Sequence, residues 1–135
     1  MQSIVKGLFL TALCFSLIMT SSLPAAAQPS KTGTVITFGA SVPLTGWATY
    51  EGRIFEQGYK LWQEEVNKIG GIKVGPNRHK VNLILYDDKS DAQTAAKLTE
   101  KLITEDKVDF LLSPFSSTLT VATSAIAEKY KKINK

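Results

Sequence analysis

The chain has 135 residues, a formal net charge of +4 and a hydrophobic fraction of 44%, which is enough for one small packed domain. This charge is too small and too scattered along the chain for a nucleic-acid-binding surface, so we exclude that class of function. With a single cysteine the chain cannot form an internal disulfide, and its stability has to come from packing.

The first 27 residues have the three regions of a secretory signal peptide. A short segment carrying Lys6 precedes the apolar run 7–19. The small residues 25–27, all alanine, then form an Ala-x-Ala cleavage site before Gln28. The sequence therefore predicts export, followed by a polar lead-in over residues 28–33 and a folded unit over 34–135.

Two kinds of membrane anchor are the alternatives to cleavage. An uncleaved transmembrane helix is disfavoured because the apolar run is shorter than the roughly 20 residues that span a bilayer. A lipoprotein anchor at Cys14 is disfavoured because the bulky Leu13 precedes the cysteine, where such signals need a small residue.

We expect secreted material to begin at Gln28 or within a residue or two of it, because the small residues before Gln28 form the cleavage site. N-terminal sequencing of the exported protein measures this directly. Membrane-bound material that still carries Met1 would contradict the prediction.

After residue 33, patterns typical of strands and helices alternate. Apolar runs predict three strands, over residues 35–42, 81–86 and 108–112. Helical spacing predicts a helix over 51–69, one that follows the capping-box pattern 90–93, and one from about Ser117. A turn at 75–77 marks a short excursion between the first helix and the second strand. Nearly unbroken apolar strands separated by helices predict a three-layer α/β fold, βαβαβα, with a parallel sheet between helices.

The third predicted strand ends in a turn rich in hydroxyl groups, over residues 113–118. This turn places Ser116 and Ser117 at the N-terminus of the last helix. Free backbone N–H groups, the helix dipole and two hydroxyl groups together favour an anion there, such as a carboxylate or a phosphate. The alternative is that one of the two serines is only an N-cap.

The long loop after the first strand is the second candidate wall of a ligand site. We expect the spatial strand order second, first, third, which puts a crevice between the carboxyl ends of the first and third strands. Trp47 and Tyr50 lie in this loop and can line a pocket for an apolar group. The alternative is that Trp47 packs on the adjacent helix.

Enzyme signatures are weak in this sequence. No glycine-rich dinucleotide motif follows the first strand, and no phosphate-binding loop is present, so we expect no cofactor. The only histidine, His79, lies in the turn-rich excursion, where we expect it to be solvated. The pair Asp87 and Asp88 resembles a metal or phospho-acceptor site, but a turn-and-cap role is the favoured interpretation. We therefore predict neither a catalytic residue nor a metal ligand.

Four segments together resemble the leucine/isoleucine/valine-binding type of periplasmic protein, the solute-binding subunits of ABC importers. They occur in the order and spacing of that family, over residues 36–46, 64–72, 86–91 and 113–117. The resemblance implies a type I periplasmic-binding fold, in which two α/β lobes on a hinge close over a small ligand. Since family members have several hundred residues, it also implies that residues 34–135 are an incomplete first lobe, a fragment.

The resemblance assigns roles to the candidate residues. It implies that the serine turn, and Ser117 more than Ser116, holds the carboxylate of the ligand. It also implies that Trp47 and Tyr50 contact the rest of the ligand. One departure is Ser113, which stands where the family usually has glycine.

The function implied is capture of an amino acid or related small carboxylate for a permease of an ABC transporter in the membrane. The alternative is a sensory ligand-binding domain with the same fold. An enzyme would need a catalytic cluster outside this chain.

Overall fold

The computed structural model describes residues 34–132, so the predicted signal peptide and lead-in lie outside the described residues. Along this part of the chain, five strands and three helices follow one another: β1 (Ile36–Val42), α1 (Thr49–Lys68), β2 (Ile72–Val74), β3 (Asn77–His79), β4 (Val81–Asp87), α2 (Ala92–Thr104), β5 (Phe110–Leu111) and α3 (Ser117–Lys129). None of the helices in residues 34–132 combines the length and the apolar character needed to span a membrane.

The main sheet has three parallel strands in the order β4-β1-β5. β1 pairs with β4 along its whole length, from Ile36 opposite Val81 to Val42 opposite Asp87. On its other side β1 pairs with β5, with Phe38 opposite Phe110. The predicted order second, first, third is confirmed, and the carboxyl ends of β1 and β5 are neighbours.

Helices cover both faces of this sheet, which confirms the three-layer α/β prediction. Phe38 and Gly39 are consecutive in β1, so they face opposite sides. The ring of Phe38 packs edge-on against Trp62 of α1, with 5.0 Å between ring centres. Gly39 faces α2, where a Cβ atom would lie only 2.8 Å from a Leu102 methyl group. Only glycine allows α2 to approach the strand this closely.

The best-packed part of the core lies on the α2 and α3 side. It is built from Leu102, Val108, Leu111 and Ala127, each no more than 2% exposed. Side chains from β4 and α2 complete this cluster. Burial of large aliphatic side chains stabilises a fold by about 1.5–3 kcal/mol each, so this cluster holds α2 and α3 against the sheet.

The predicted turn in the excursion after α1 closes an antiparallel hairpin, with Ile72 opposite His79. Three other local predictions need correction. His79 is half-buried rather than solvated, and its Nδ1 lies 2.8 Å from the carbonyl oxygen of Thr34. The third strand is shorter than predicted, since β5 covers only Phe110 and Leu111. The N–H of Val108 bonds to Leu102 at the end of α2, whereas the N–H groups of Asp109 and Leu112 still bond to β1.

The third correction concerns the cap of α2. Asp91, not Ser90, is the N-cap, and its carboxylate accepts a 2.7 Å hydrogen bond from the N–H of Thr94. The side chain of Ser90 bonds instead to the segment before α1.

Candidate functional site

Three connecting segments meet at the carboxyl edge of the main sheet. They are the β1–α1 loop (residues 43–48), the β4–α2 turn (residues 88–91) and the serine turn (residues 113–118), which follows β5 and includes the first residues of α3. Because the three strands are parallel and adjacent, their carboxyl ends lie along one edge. This edge is where α/β sheets of this kind bind ligands.

The serine turn separates the roles of its two candidate serines. Ser116 is the N-cap of α3, and its Oγ accepts a 3.4 Å hydrogen bond from the N–H of Leu119. Ser116 also has a φ of 81°, a strained value for a residue other than glycine. Ser117 is the first residue of α3 and is exposed, and its hydroxyl group has no hydrogen bond within residues 34–132. The hydroxyl group of Ser117 is therefore available to a ligand.

Contacts with α1 hold the serine turn in place. The hydroxyl group of Tyr59 donates a 2.6 Å hydrogen bond to the carbonyl oxygen of Ser113. Burial raises the pKa of Tyr59, so the phenol stays protonated and remains a donor at neutral pH. The rings of Phe55 and Phe115 also meet edge-on, 5.7 Å apart. Ser113, the departure from the family pattern, thus makes its contact through its backbone.

The two candidate aromatic residues are both on the surface beside this edge. Trp47 is 69% exposed and Tyr50 is 76% exposed. Tyr50 belongs to the first turn of α1 rather than to the loop, because the helix begins at Thr49. The indole N–H of Trp47 donates a 3.0 Å hydrogen bond to the carbonyl oxygen of Ser90. Trp47 is therefore oriented by a hydrogen bond and not buried against the adjacent helix.

Two residues of the β4–α2 region, Asp87 and Ser90, were not predicted to belong to the site. Both bind the backbone of the β1–α1 loop, more than 40 positions earlier in the chain. The sequence signals for them were the family-like segment 86–91, the turn-and-cap role expected of Asp87 and the capping-box pattern at Ser90, none of which indicated a contact with the β1–α1 loop. Within residues 34–132, no group of three or more His, Cys, Asp or Glu side chains could hold a metal ion.

Asp88 is a buried carboxyl group behind this edge. It is fully buried, its Oδ1 accepts a hydrogen bond from the N–H of Ser90, and its Oδ2 has no partner within the described part of the chain. Burial raises the pKa of Asp88. The hydrogen bond from Ser90 and the nearby Ser41 hydroxyl oppose this shift, and the Asp87 and Asp91 carboxylates add to it.

We expect Asp88→Asn to raise the melting temperature at pH 7. A folded-state pKa above the unfolded value means that the folded chain binds more protons, so Asp88 costs stability as pH rises through that interval. An unpaired buried acceptor costs about 1–3 kcal/mol, and an asparagine NH₂ can donate to Ser41 Oγ, which is also buried and unpartnered among residues 34–132. Thermal unfolding from pH 4 to 8 measures this, and the gain should shrink toward pH 4.

Asp91→Asn is the matched control, since asparagine caps helices about as well as aspartate. It should leave the melting temperature nearly unchanged at pH 7. A destabilised Asp88→Asn variant at pH 7 would contradict the prediction.

The fold and this edge define a class: a doubly wound α/β unit that presents a helix N-terminus and two exposed aromatic residues beside its switch point. A model of the periplasmic binding protein family matches residues 35–133. The chain belongs to the periplasmic binding protein family.

Similar proteins agree with this assignment. A curated relative from Pseudomonas aeruginosa (strain ATCC 15692), described as an amino acid binding protein, is 27% identical over 124 residues. The match covers 92% of this chain and 30% of the relative.

Two solved structures are similar in both fold and sequence. The first is the branched-chain amino acid transporter substrate binding protein LivJ from Streptococcus pneumoniae in complex with isoleucine, with a TM-score of 0.69 and 28% identity. The second is an ABC transporter solute binding protein from R. palustris in complex with benzoate, with a TM-score of 0.60 and 27% identity. Each match covers 74% of this chain, but only 28% of the first protein and 26% of the second.

The chain therefore spans less than a third of the length of these relatives. Their fold similarity confirms that the described residues form part of a type I periplasmic-binding fold.

Proposed function

We propose that this chain is part of an extracytoplasmic solute-binding subunit of an ABC importer, which captures an amino acid or a related small carboxylate. The observation that carries the proposal is the exposed hydroxyl group of Ser117, which has no hydrogen-bond partner within residues 34–132 and lies at the N-terminus of α3 on the carboxyl edge of the sheet. Backbone N–H groups and the helix dipole favour a negative charge at this point.

The ligands of the two similar structures support the proposal that the ligand of this chain carries a carboxylate. Isoleucine and benzoate differ in shape, and benzoate has no amino group, but both carry a carboxylate next to an apolar group. A site that uses the serine turn for the carboxylate suits both. Trp47 and Tyr50 then contact the apolar group, which explains why two large aromatic side chains stay exposed.

The family context supports binding rather than catalysis. The relatives are named as binding proteins, and the site offers hydrogen-bond donors and aromatic surface. We propose that a second lobe closes over the ligand and that the closed protein delivers it to a membrane permease. The alternative is a sensory domain, which a downstream transmembrane helix and cytoplasmic domain would favour. Neighbouring permease and ATPase genes would favour transport.

A chimera tests the proposed function. Residues 34–132 replace the matching part of the isoleucine-bound S. pneumoniae protein, which supplies the second lobe. Calorimetry with L-isoleucine, L-leucine and benzoate should detect saturable binding of at least one of them. A folded chimera that binds none of these carboxylates, while the parent protein binds isoleucine, would contradict the proposal.

A further inference from the structure

We propose that Asp87 is a positioning residue for the β1–α1 loop. By holding this loop, Asp87 fixes the position of the Trp47 side chain at the carboxyl edge of the sheet. The positioning itself is independent of any ligand. Its effect on binding rests on the proposed function above.

The carboxylate of Asp87 bonds to two segments at once. Its Oδ1 accepts from the N–H groups of Leu44, at 2.9 Å, and of Thr45, at 3.1 Å. Its Oδ2 accepts from the Thr45 hydroxyl group at 2.7 Å. Oδ1 also accepts from the N–H of Lys89 in its own turn, at 2.9 Å. Asp87 therefore joins the start of the β1–α1 loop to the β4–α2 turn.

These bonds favour the charged carboxylate. Partial burial alone would raise the pKa of Asp87, but the Thr45 hydroxyl and the three backbone N–H groups outweigh it, and the pKa is lowered. All four donors point at acceptor-only oxygens, and such charge-assisted hydrogen bonds are shorter and stronger than neutral ones. An asparagine has one acceptor oxygen and cannot receive all four.

Ser90 also joins the β4–α2 turn to the β1–α1 loop, at positions closer to Trp47. Its hydroxyl group donates to the carbonyl oxygen of Thr45 at 2.7 Å and accepts from the N–H of Ala48 at 3.1 Å. Its carbonyl oxygen accepts from the Trp47 indole. Between these contacts lies Gly46, where an added Cβ atom would be 2.6 Å from Ser90 Oγ. The loop and the turn thus fit together at every position from 44 to 48.

Asp87 is the first link in this series, because it fixes Thr45, whose carbonyl oxygen then receives the Ser90 hydroxyl group. Without Asp87, the loop keeps the contacts of Ser90, the bond from the Leu44 N–H to the carbonyl oxygen of Val42 and the bond from the Thr49 hydroxyl group to the carbonyl oxygen of Gly46. The N–H and hydroxyl groups of Thr45, two residues before Trp47, lose their partner, and the position of Trp47 is less firmly held. An exposed aromatic ring binds well when it is preorganised, since less freedom is lost on binding.

Hydrogen exchange and fluorescence test the positioning on the chain itself. The variants are Asp87→Ala, Asp87→Asn and, as matched control, Asp91→Ala, which also removes a hydrogen-bonded aspartate, but one that caps α2. Fluorescence is read in a Trp62→Phe background, so that Trp47 is the only tryptophan. We expect Asp87→Ala to speed exchange at the amide of Thr45 at least tenfold, with a smaller change at Leu44, whose N–H also bonds to the carbonyl oxygen of Val42.

Quenching of Trp47 by acrylamide should also increase in Asp87→Ala, with a smaller change in Asp87→Asn and none in Asp91→Ala. Equal effects of Asp87→Ala and Asp91→Ala, or no effect of either, would overturn the proposal. If Asp87→Ala does not fold, the effects of Asp87→Asn on exchange and on quenching are compared with those of Asp91→Ala. Equal effects of these two variants would then overturn the proposal. Thr45→Val removes the partner hydroxyl group and should add nothing to Asp87→Asn, because both remove the same bond.

The effect of Asp87 on ligand binding is tested in the chimera, by measuring the Kd for L-isoleucine and for benzoate. Asp87→Ala should raise the Kd at least tenfold, and Asp91→Ala should leave it unchanged while lowering the melting temperature. If the unmodified chimera binds neither probe, the proposed function fails, and the exchange data still decide the positioning role. If exchange is faster but the Kd is unchanged, the loop is positioned by Asp87 and does not contribute to binding, which overturns the ligand part of the inference.

Discussion

The 135-residue chain on its own is expected to bind L-isoleucine or benzoate no more tightly than about 1 mM, whereas the two-lobe chimera should bind one of them about a thousandfold more tightly. Specific sites bury about 70–90% of a small ligand's surface. The described edge offers one wall only, formed by the serine turn and the β1–α1 loop, with Trp47 and Tyr50 largely in solvent.

Isothermal calorimetry on both proteins measures this difference. Circular dichroism on the isolated chain must first show a cooperative unfolding transition, so that weak binding is not confused with an unfolded chain. Micromolar binding by the 135-residue chain would contradict the prediction and would mean that one wall is sufficient.

Ser117→Ala in the chimera is expected to weaken carboxylate binding by roughly tenfold to a hundredfold. A hydrogen bond to a charged group is worth about 1.5–3 kcal/mol, and 1.4 kcal/mol corresponds to a factor of ten. The hydroxyl group of Ser117 has no hydrogen bond within residues 34–132, so removing it should cost little stability. The Kd and the melting temperature, measured on the same variant, test both parts.

Ser116→Ala is the matched control. It removes the N-cap of α3, and loss of a cap costs about 1 kcal/mol of stability. We expect a lower melting temperature and a smaller change in Kd than for Ser117→Ala. A Ser117→Ala variant with unchanged Kd would mean that the ligand site lies elsewhere on the serine turn.

The elements of this fold were predictable from the sequence because their signals are local. The apolar run of β1 and the helical spacing along α1 concern residues a few positions apart, and both elements lie where they were expected, within two residues. The strand order β4-β1-β5 follows from the general behaviour of doubly wound sheets. Family membership followed from four short segments in one order.

The side-chain hydrogen bonds that join segments distant in sequence could not be predicted from such local signals. Ser90 fits a capping-box pattern, yet Asp91 caps α2 and Ser90 binds the β1–α1 loop instead. Sequence pattern could not choose between these two adjacent residues, because both types are preferred caps. Similarly, capping preference alone could not tell whether Ser116 or Ser117 caps α3, although the family resemblance favoured Ser117 for the ligand. The structure shows that Ser116 is the cap.

By itself, the sequence determined the fold class, the order of the elements and the family, since periodicity and short motifs carry that information. Only the tertiary structure decided which side chains hold the β1–α1 loop and which of the two serines has a hydroxyl group without a hydrogen bond in the described part of the chain. The physical reason is that Asp87 meets Leu44 and Thr45 across 43 and 42 positions of sequence. Such contacts exist only after β1 and β4 have paired in register, with Val42 opposite Asp87.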